Sequence, residues 1–108
     1  MSTYLFSYQA PNGYAPSADA VQAWSHWFEG LGEAVLDRGN PTFISDSVGI
    51  SRNQTHLGGY SLIQTDSLDE AIEMAKGCPI VGVGGGVEVG EITFSDSEST
   101  SLTTNTAA

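Results

Sequence analysis

A two-layer α+β domain is what this sequence predicts, and three observations predict it. An alternating aromatic run, Thr3 to Tyr8, opens the chain. Two amphipathic stretches at helical spacing lie at Ala18 to Arg38 and Leu68 to Lys76, and β-rich segments follow each of them. In order the segments read strand, helix, strand, strand, helix, strand. That βαββαβ order is the ferredoxin-like arrangement, a four-stranded antiparallel sheet with two helices on one face.

In strand one, Tyr4, Phe6 and Tyr8 share one face and Thr3, Leu5 and Ser7 the other. Ala10 to Pro16 holds two prolines and an Asn-Gly pair, so it is expected to form a loop over the mouth of a site. Ser17 is placed to cap helix one, expected over Ala18 to Arg38 because Val21, Trp24, Phe28, Leu31 and Val35 fall on one stripe. Gly30 and Gly32 cost about 1 kcal/mol each in a helix interior and suggest a bend or a close approach near its end. Gly39 and Pro41 stop the helix. Strand two is expected at Thr42 to Ser45, with Val48 to Ser51 extending it and Arg52-Asn53-Gln54 forming a hairpin tip.

The plainest stretch runs from Gly58 to Phe94. Tyr60 to Thr65 suits a mostly buried strand, and Ser67 with Glu70 forms the S-x-x-E capping signature of helix two. Leu68, Ala71, Ile72 and Ala75 make that helix's apolar stripe, and Gly77-Cys78-Pro79 forces a turn. Val87 to Phe94 is the last strand. The domain is thus assigned to residues 1–94, and the small polar residues of 95–108 are expected to form a mobile tail.

With 108 residues the chain supports one modest core. Its net charge of −10 repels phosphate backbones and anionic headgroups, so neither nucleic acid nor a membrane surface is expected as a partner. A lone cysteine, no long apolar run and no signal-like start predict a cytoplasmic protein. Two histidines and one cysteine at unrelated spacings give no metal signature, and no cofactor is expected. The glycines at 82 and 84–86 do not make a phosphate loop, since they follow a helix and enter a strand. Whichever face of the strands is chosen, apolar side chains are left over. A second copy is the expected cover, giving a homodimeric α/β barrel with a cavity at the sheet or dimer interface.

Gly59-Tyr60-Ser61-Leu62-Ile63, Asp66 to Ala71, Ala75 to Pro79 and Gly85 to Val89 resemble the YCII-related domain family, near its DGPF-type branch. Trp24, Trp27-Phe28, Leu31-Gly32 and Asp37 to Pro41 are similar to its first helix and exit turn. The resemblance implies a ferredoxin-like dimeric α/β barrel. It also implies, for some members, lyase or dehydrochlorinase chemistry on small ring compounds through a His and Asp pair. The family histidine would fall near Ala23, where this chain has none, and the Asp-Gly-Pro-Phe segment is absent, so that pair does not carry over.

The residues themselves offer other candidates. His56, before Gly58-Gly59, is of a type that moves protons near neutral pH, and Glu88, on the last strand, becomes a general acid or base if buried. For both, and for His26, a solvent-exposed surface group is the favoured reading. Tyr8, Trp24 and Tyr60 are candidate walls of a ligand pocket, with aromatic packing at a dimer contact the alternative for the tyrosines, and Arg52 is the candidate anchor for an anionic ligand. Cys78 is expected to be a buried small side chain. Three readings stay open: a small-molecule enzyme of lyase, isomerase or dehydrochlorinase type, a non-catalytic ligand-binding or accessory protein, and an interaction module whose cavity is filled.

Overall fold

The alternation at the start of the chain becomes strand β1, Ser2–Pro11, in the computed structural model, which describes residues 1–50 and 53–94. Tyr4, Phe6, Tyr8 and Ala10 are all buried on one side of it, and Leu5 on the other is 38% exposed. Burying a large side chain such as Phe6 contributes about 1.5–3 kcal/mol, so the aromatic face fixes which side of the sheet the helices cover. Next come α1 (Ala18–Leu31), β2 (Val35–Asp37), β3 (Thr55–Thr65), α2 (Leu68–Lys76) and β4 (Gly86–Glu91). The sheet is antiparallel in the order β2-β3-β1-β4. This is the α+β, ferredoxin-like fold that the sequence predicts.

Register assigns the faces. Tyr4 stands opposite Ile63 and Glu91, Phe6 opposite Ser61 and Val89, and Tyr8 opposite Gly59 and Val87. The helix-covered core therefore gathers Tyr4, Phe6, Tyr8 and Ile63 with Ala71, Ala75, Cys78 and Ile80. Leu5, Ser7, Leu62, Tyr60 and Glu88 belong to the open face.

Both helices begin where their caps predict. Ser17 Oγ accepts from Ala20 N at 3.1 Å, and Ser67 Oγ accepts from Glu70 N at 3.2 Å. Glu70 Oε1 in turn accepts from Asp66 N at 3.3 Å and from Thr65 Oγ1 at 2.6 Å, so the box reaches back one residue further than its usual form.

The second quarter of the chain departs from expectation. Helix one stops at Leu31 rather than Arg38, because Gly32 takes φ 59°, a region open to glycine, and its N–H returns to Phe28 and Glu29 carbonyls. Val35 sits on the apolar stripe for a different reason than helix packing. It starts β2, where it pairs with Ile63, so the edge strand is Val35–Asp37 and not Thr42 to Ser45. Thr42 to Ser45 carries no ladder, and Phe43 and Ile44 are 81% and 96% exposed. Strand β3 starts at Thr55, five residues before Tyr60, by means of an irregularity opposite Tyr8 and Gln9. The last strand ends at Glu91. The expected tail and Arg52 lie outside the described residues. Among the described residues no helix is long and apolar enough to cross a membrane.

Candidate functional site

A cavity of about 480 Å³ opens beside α1, walled by that helix, the ends of β1 and β3, and the chain from Arg38 to Phe43. Its size falls within the range of small-ligand pockets. Large rings build the wall. Trp24 and Phe28 come from one stripe of α1, Tyr8 from the covered face of β1, and Tyr14 from the loop after β1. Tyr8 and Trp24 meet edge to face at 4.9 Å between centroids, and Trp24 Nε1 donates to the Tyr14 hydroxyl at 3.2 Å, which draws that loop over the helix.

Two glycines allow the remaining wall to close. Gly59 has φ 150°, and a side chain there would meet the Asn40 carbonyl at 2.8 Å and Pro41 Cα at 3.0 Å, so its bareness lets residues 40–41 lie against the strand. Gly39, at φ 74°, turns the chain with its own place pressed against the Tyr60 carbonyl. Asp37 Oδ1 accepts from Gly39 N at 2.8 Å and holds this turn.

A buried relay joins floor to wall. The Tyr8 hydroxyl donates to Ser61 Oγ at 2.7 Å, and Ser61 Oγ donates to the Arg38 carbonyl at 2.6 Å. Burial pushes the Tyr8 phenol well above its ordinary range, and the Ser61 hydrogen bond offsets only part of that. Tyr8 is therefore a neutral donor committed to Ser61, an aromatic wall and not a base. Arg38 lies with its guanidinium carbon 4.5 Å from the centroid of Phe28.

His56 reaches the cavity as the register partner of buried Ala10. Its Nδ1 is 3.2 Å from Asn12 Oδ1, while Asn12 Nδ2 donates to the Asn53 carbonyl at 2.7 Å. With its amide nitrogen so engaged, Asn12 offers an acceptor to His56. In the neutral ring Nδ1 then carries the proton and Nε2 is the basic nitrogen.

Of the sequence candidates, Tyr8, Trp24, His56 and Tyr60 all border this cavity. Tyr60 does so from the sheet edge. Its register opposite Ser7 places it on the open face, and Asn40 Nδ2 donates to its hydroxyl at 3.2 Å. Glu88 is elsewhere. As the partner of Ser7 it stands on the open face, where it lines a second, more open hollow of about 610 Å³ with Gln9, Thr55 and Gly86. The sheet separates it from His56. Arg52 lies outside the described residues, and His26 is exposed on α1. Arg38, Asn12 and Tyr14 are the site residues that sequence reading passed over. Arg38 was hidden by the overlong helix, although its being one of three basic residues was a usable signal. Cys78 is buried away from solvent, and burial pushes its thiol up to about 12. Among the described residues no group of three or more His, Cys, Asp or Glu side chains could hold a metal ion.

This architecture has a counterpart among solved structures. The 5-chloro-2-hydroxyhydroquinone dehydrochlorinase of Burkholderia phenoliruptrix, in complex with 2,5-dihydroxybenzoquinone, is similar with a TM-score of 0.62 over 88% of this chain and 97% of that one. At 18% sequence identity the likeness is one of fold. No curated protein sequence matches the chain. The model of the YCII-related domain, however, matches residues 1–94, and the chain belongs to that family.

Proposed function

We propose that the protein binds a compact ring-shaped organic molecule in the cavity beside α1 and moves a proton on it, with His56 Nε2 as the base. The observation that carries this reading is the joining of an aromatic-walled space of about 480 Å³ to a histidine whose tautomer is set by Asn12. Trp24 and Phe28 suit the faces of a flat ligand. A base beside an apolar wall suits elimination, in which a C–H proton goes to the imidazole as a leaving group departs with its bonding electrons. The fold neighbour, a dehydrochlorinase, supports a lyase-type reaction of this kind. Asn12 takes the orienting role that a carboxylate has in a His and Asp pair, which fits the want of the family histidine near Ala23. Glu88 has no part in this reading, because it stands across the sheet. A homodimer belongs to the same proposal. Leu5, Leu57 and Tyr60 are only partly covered, and a second copy on the open face would bury them.

A thermal-shift screen with 2,5-dihydroxybenzoquinone and related hydroquinones tests the binding step, since a ligand that prefers the folded state raises its midpoint with occupancy. At a hundredfold excess over Kd the stabilisation is about 2.7 kcal/mol, a rise of roughly ten degrees or more in a domain of this size. For a compound that is also turned over, His56→Gln should keep binding within about twofold and lower kcat by roughly 100-fold or more. A flat response to every ring compound would sink the binding reading. Unchanged kcat in the His56 variant would sink the assignment of the base.

A further inference from the structure

We infer that the cavity selects ring compounds bearing one carboxylate, and that Arg38 is the residue that holds it; this rests on the cavity-binding reading above. The chain has three basic residues against 13 acidic ones, so an anion meets repulsion from most of the molecule and a cation at a pocket wall is an exception. Among the described residues Arg38 is that exception. Lys76 is spent on Glu73 at 2.6 Å, whereas among the described residues Arg38 forms no ion pair. The nearest carboxylate in sequence, Asp37, is turned into its own turn by Gly39 N–H.

Position and orientation both favour a planar anion. Stacking on Phe28 uses the flat face of the guanidinium, while a carboxylate is bound by its N–H edge, so both contacts can be made together. The Arg38 backbone is held by the Ser61 hydroxyl, itself held by the buried Tyr8, so the side chain springs from a fixed point. Trp24, beside the Arg38-covered Phe28, then receives the ring to which the carboxylate is attached. One cation balances one charge, which favours a carboxylate over a phosphate monoester carrying nearly two charges near neutral pH.

The experiment compares benzoate with its neutral analogue benzyl alcohol, at pH 7.5 and low salt, on the full chain and on Arg38→Gln and Arg38→Lys. The readout is the indole N–H signals of the two tryptophans: Trp24 borders the cavity, while Trp27 donates to the Met74 carbonyl and serves as the internal control. Benzoate is expected to bind roughly ten- to a hundredfold more tightly than benzyl alcohol, as a charge-assisted bidentate contact implies. Arg38→Gln should abolish that preference, an unshifted Trp27 signal showing that the variant is folded, and Arg38→Lys should restore only part of it. Equal affinities in the parent chain, or a preference that survives Arg38→Gln, overturn the inference and leave the cavity reading standing. If neither compound moves the Trp24 signal, the cavity reading falls and this inference with it.

Discussion

The two helices lie on the same face of one sheet and treat it in opposite ways. Helix α2 buries Ala71 and Ala75, with Cys78 and Ile80 just beyond its end, and comes down onto the strands through small side chains. Helix α1 has no fully buried residue. Its contact side is made of Trp24, Trp27 and Phe28, whose rings meet one another and Tyr8 at tilted or edge-on angles. Small residues let a helix approach closely enough to exclude space, while rings packed by their edges prop a helix up and leave gaps between them. The solid half is thus stability and the hollow half is opportunity, and Trp27 Nε1, donating to Met74 O at 3.0 Å, ties the two together.

The strongest way to break this contrast is to overfill the solid half. Ala71 is fully buried, so Ala71→Leu must displace backbone or neighbours. A loss of about 1–3 kcal/mol is expected from overpacking, measurable by urea denaturation as a lower midpoint with an unchanged slope. An unaltered midpoint would mean that α2 is not seated as tightly as its alanines indicate.

How far each half could be read from sequence follows the same division. Around α2 local signals agree with one another: the Ser67 cap, the Glu70 return, the alanine stripe and the Gly77-Cys78-Pro79 stop all describe the same nine-residue helix. After α1 they conflict. Val35 continues the helical stripe of Leu31, and only the backbone at Gly32 reveals that the chain has already left the helix. The pairing of Val35 with Ile63 is a tertiary fact that no local window contains, and with it went the location of the edge strand and of Arg38. The site was partly legible because ring residues and a histidine stand out by type. Its orienting groups, Asn12 and the Tyr8–Ser61–Arg38 relay, join residues far apart in the chain and are visible only once the strands are in register.

A second measurement sharpens the contrast by titration. In the folded protein the Cys78 thiol is raised by burial from its ordinary 9.0 to about 12. The sign follows from linkage: above pH 9 the unfolded chain loses this proton and the folded one does not, so deprotonation favours the unfolded state. Stability is full below about pH 9 and falls across the window up to about pH 12. By pH 10 the loss from this group is on the order of 1 kcal/mol, and Tyr8, shifted in the same direction, adds to it at higher pH. Denaturation midpoints at pH 8 and pH 10 should differ less in Cys78→Ala than in the parent chain. An identical pH dependence in the two would place Cys78 in contact with water.

The smallest expected change in stability is the most informative, because it repeats the Ala71 experiment on the other helix. Ser25 lies on α1 and lines the cavity, so Ser25→Leu adds the same kind of bulk to a wall that faces empty space. Nothing need move to receive it. Among the described residues the lost hydroxyl takes part in no hydrogen bond, and leucine is the better helix former, so the change should fall within about ±0.5 kcal/mol or be mildly stabilising. The cavity would nonetheless be partly filled. Ring compounds should then bind at least roughly tenfold more weakly, while the urea midpoint stays where it was. Small-to-leucine changes that cost stability under α2 and binding under α1 would separate the two halves by experiment. A Ser25→Leu chain as unstable as Ala71→Leu would instead mean that α1 closes onto the sheet in solution, leaving no room for a ligand.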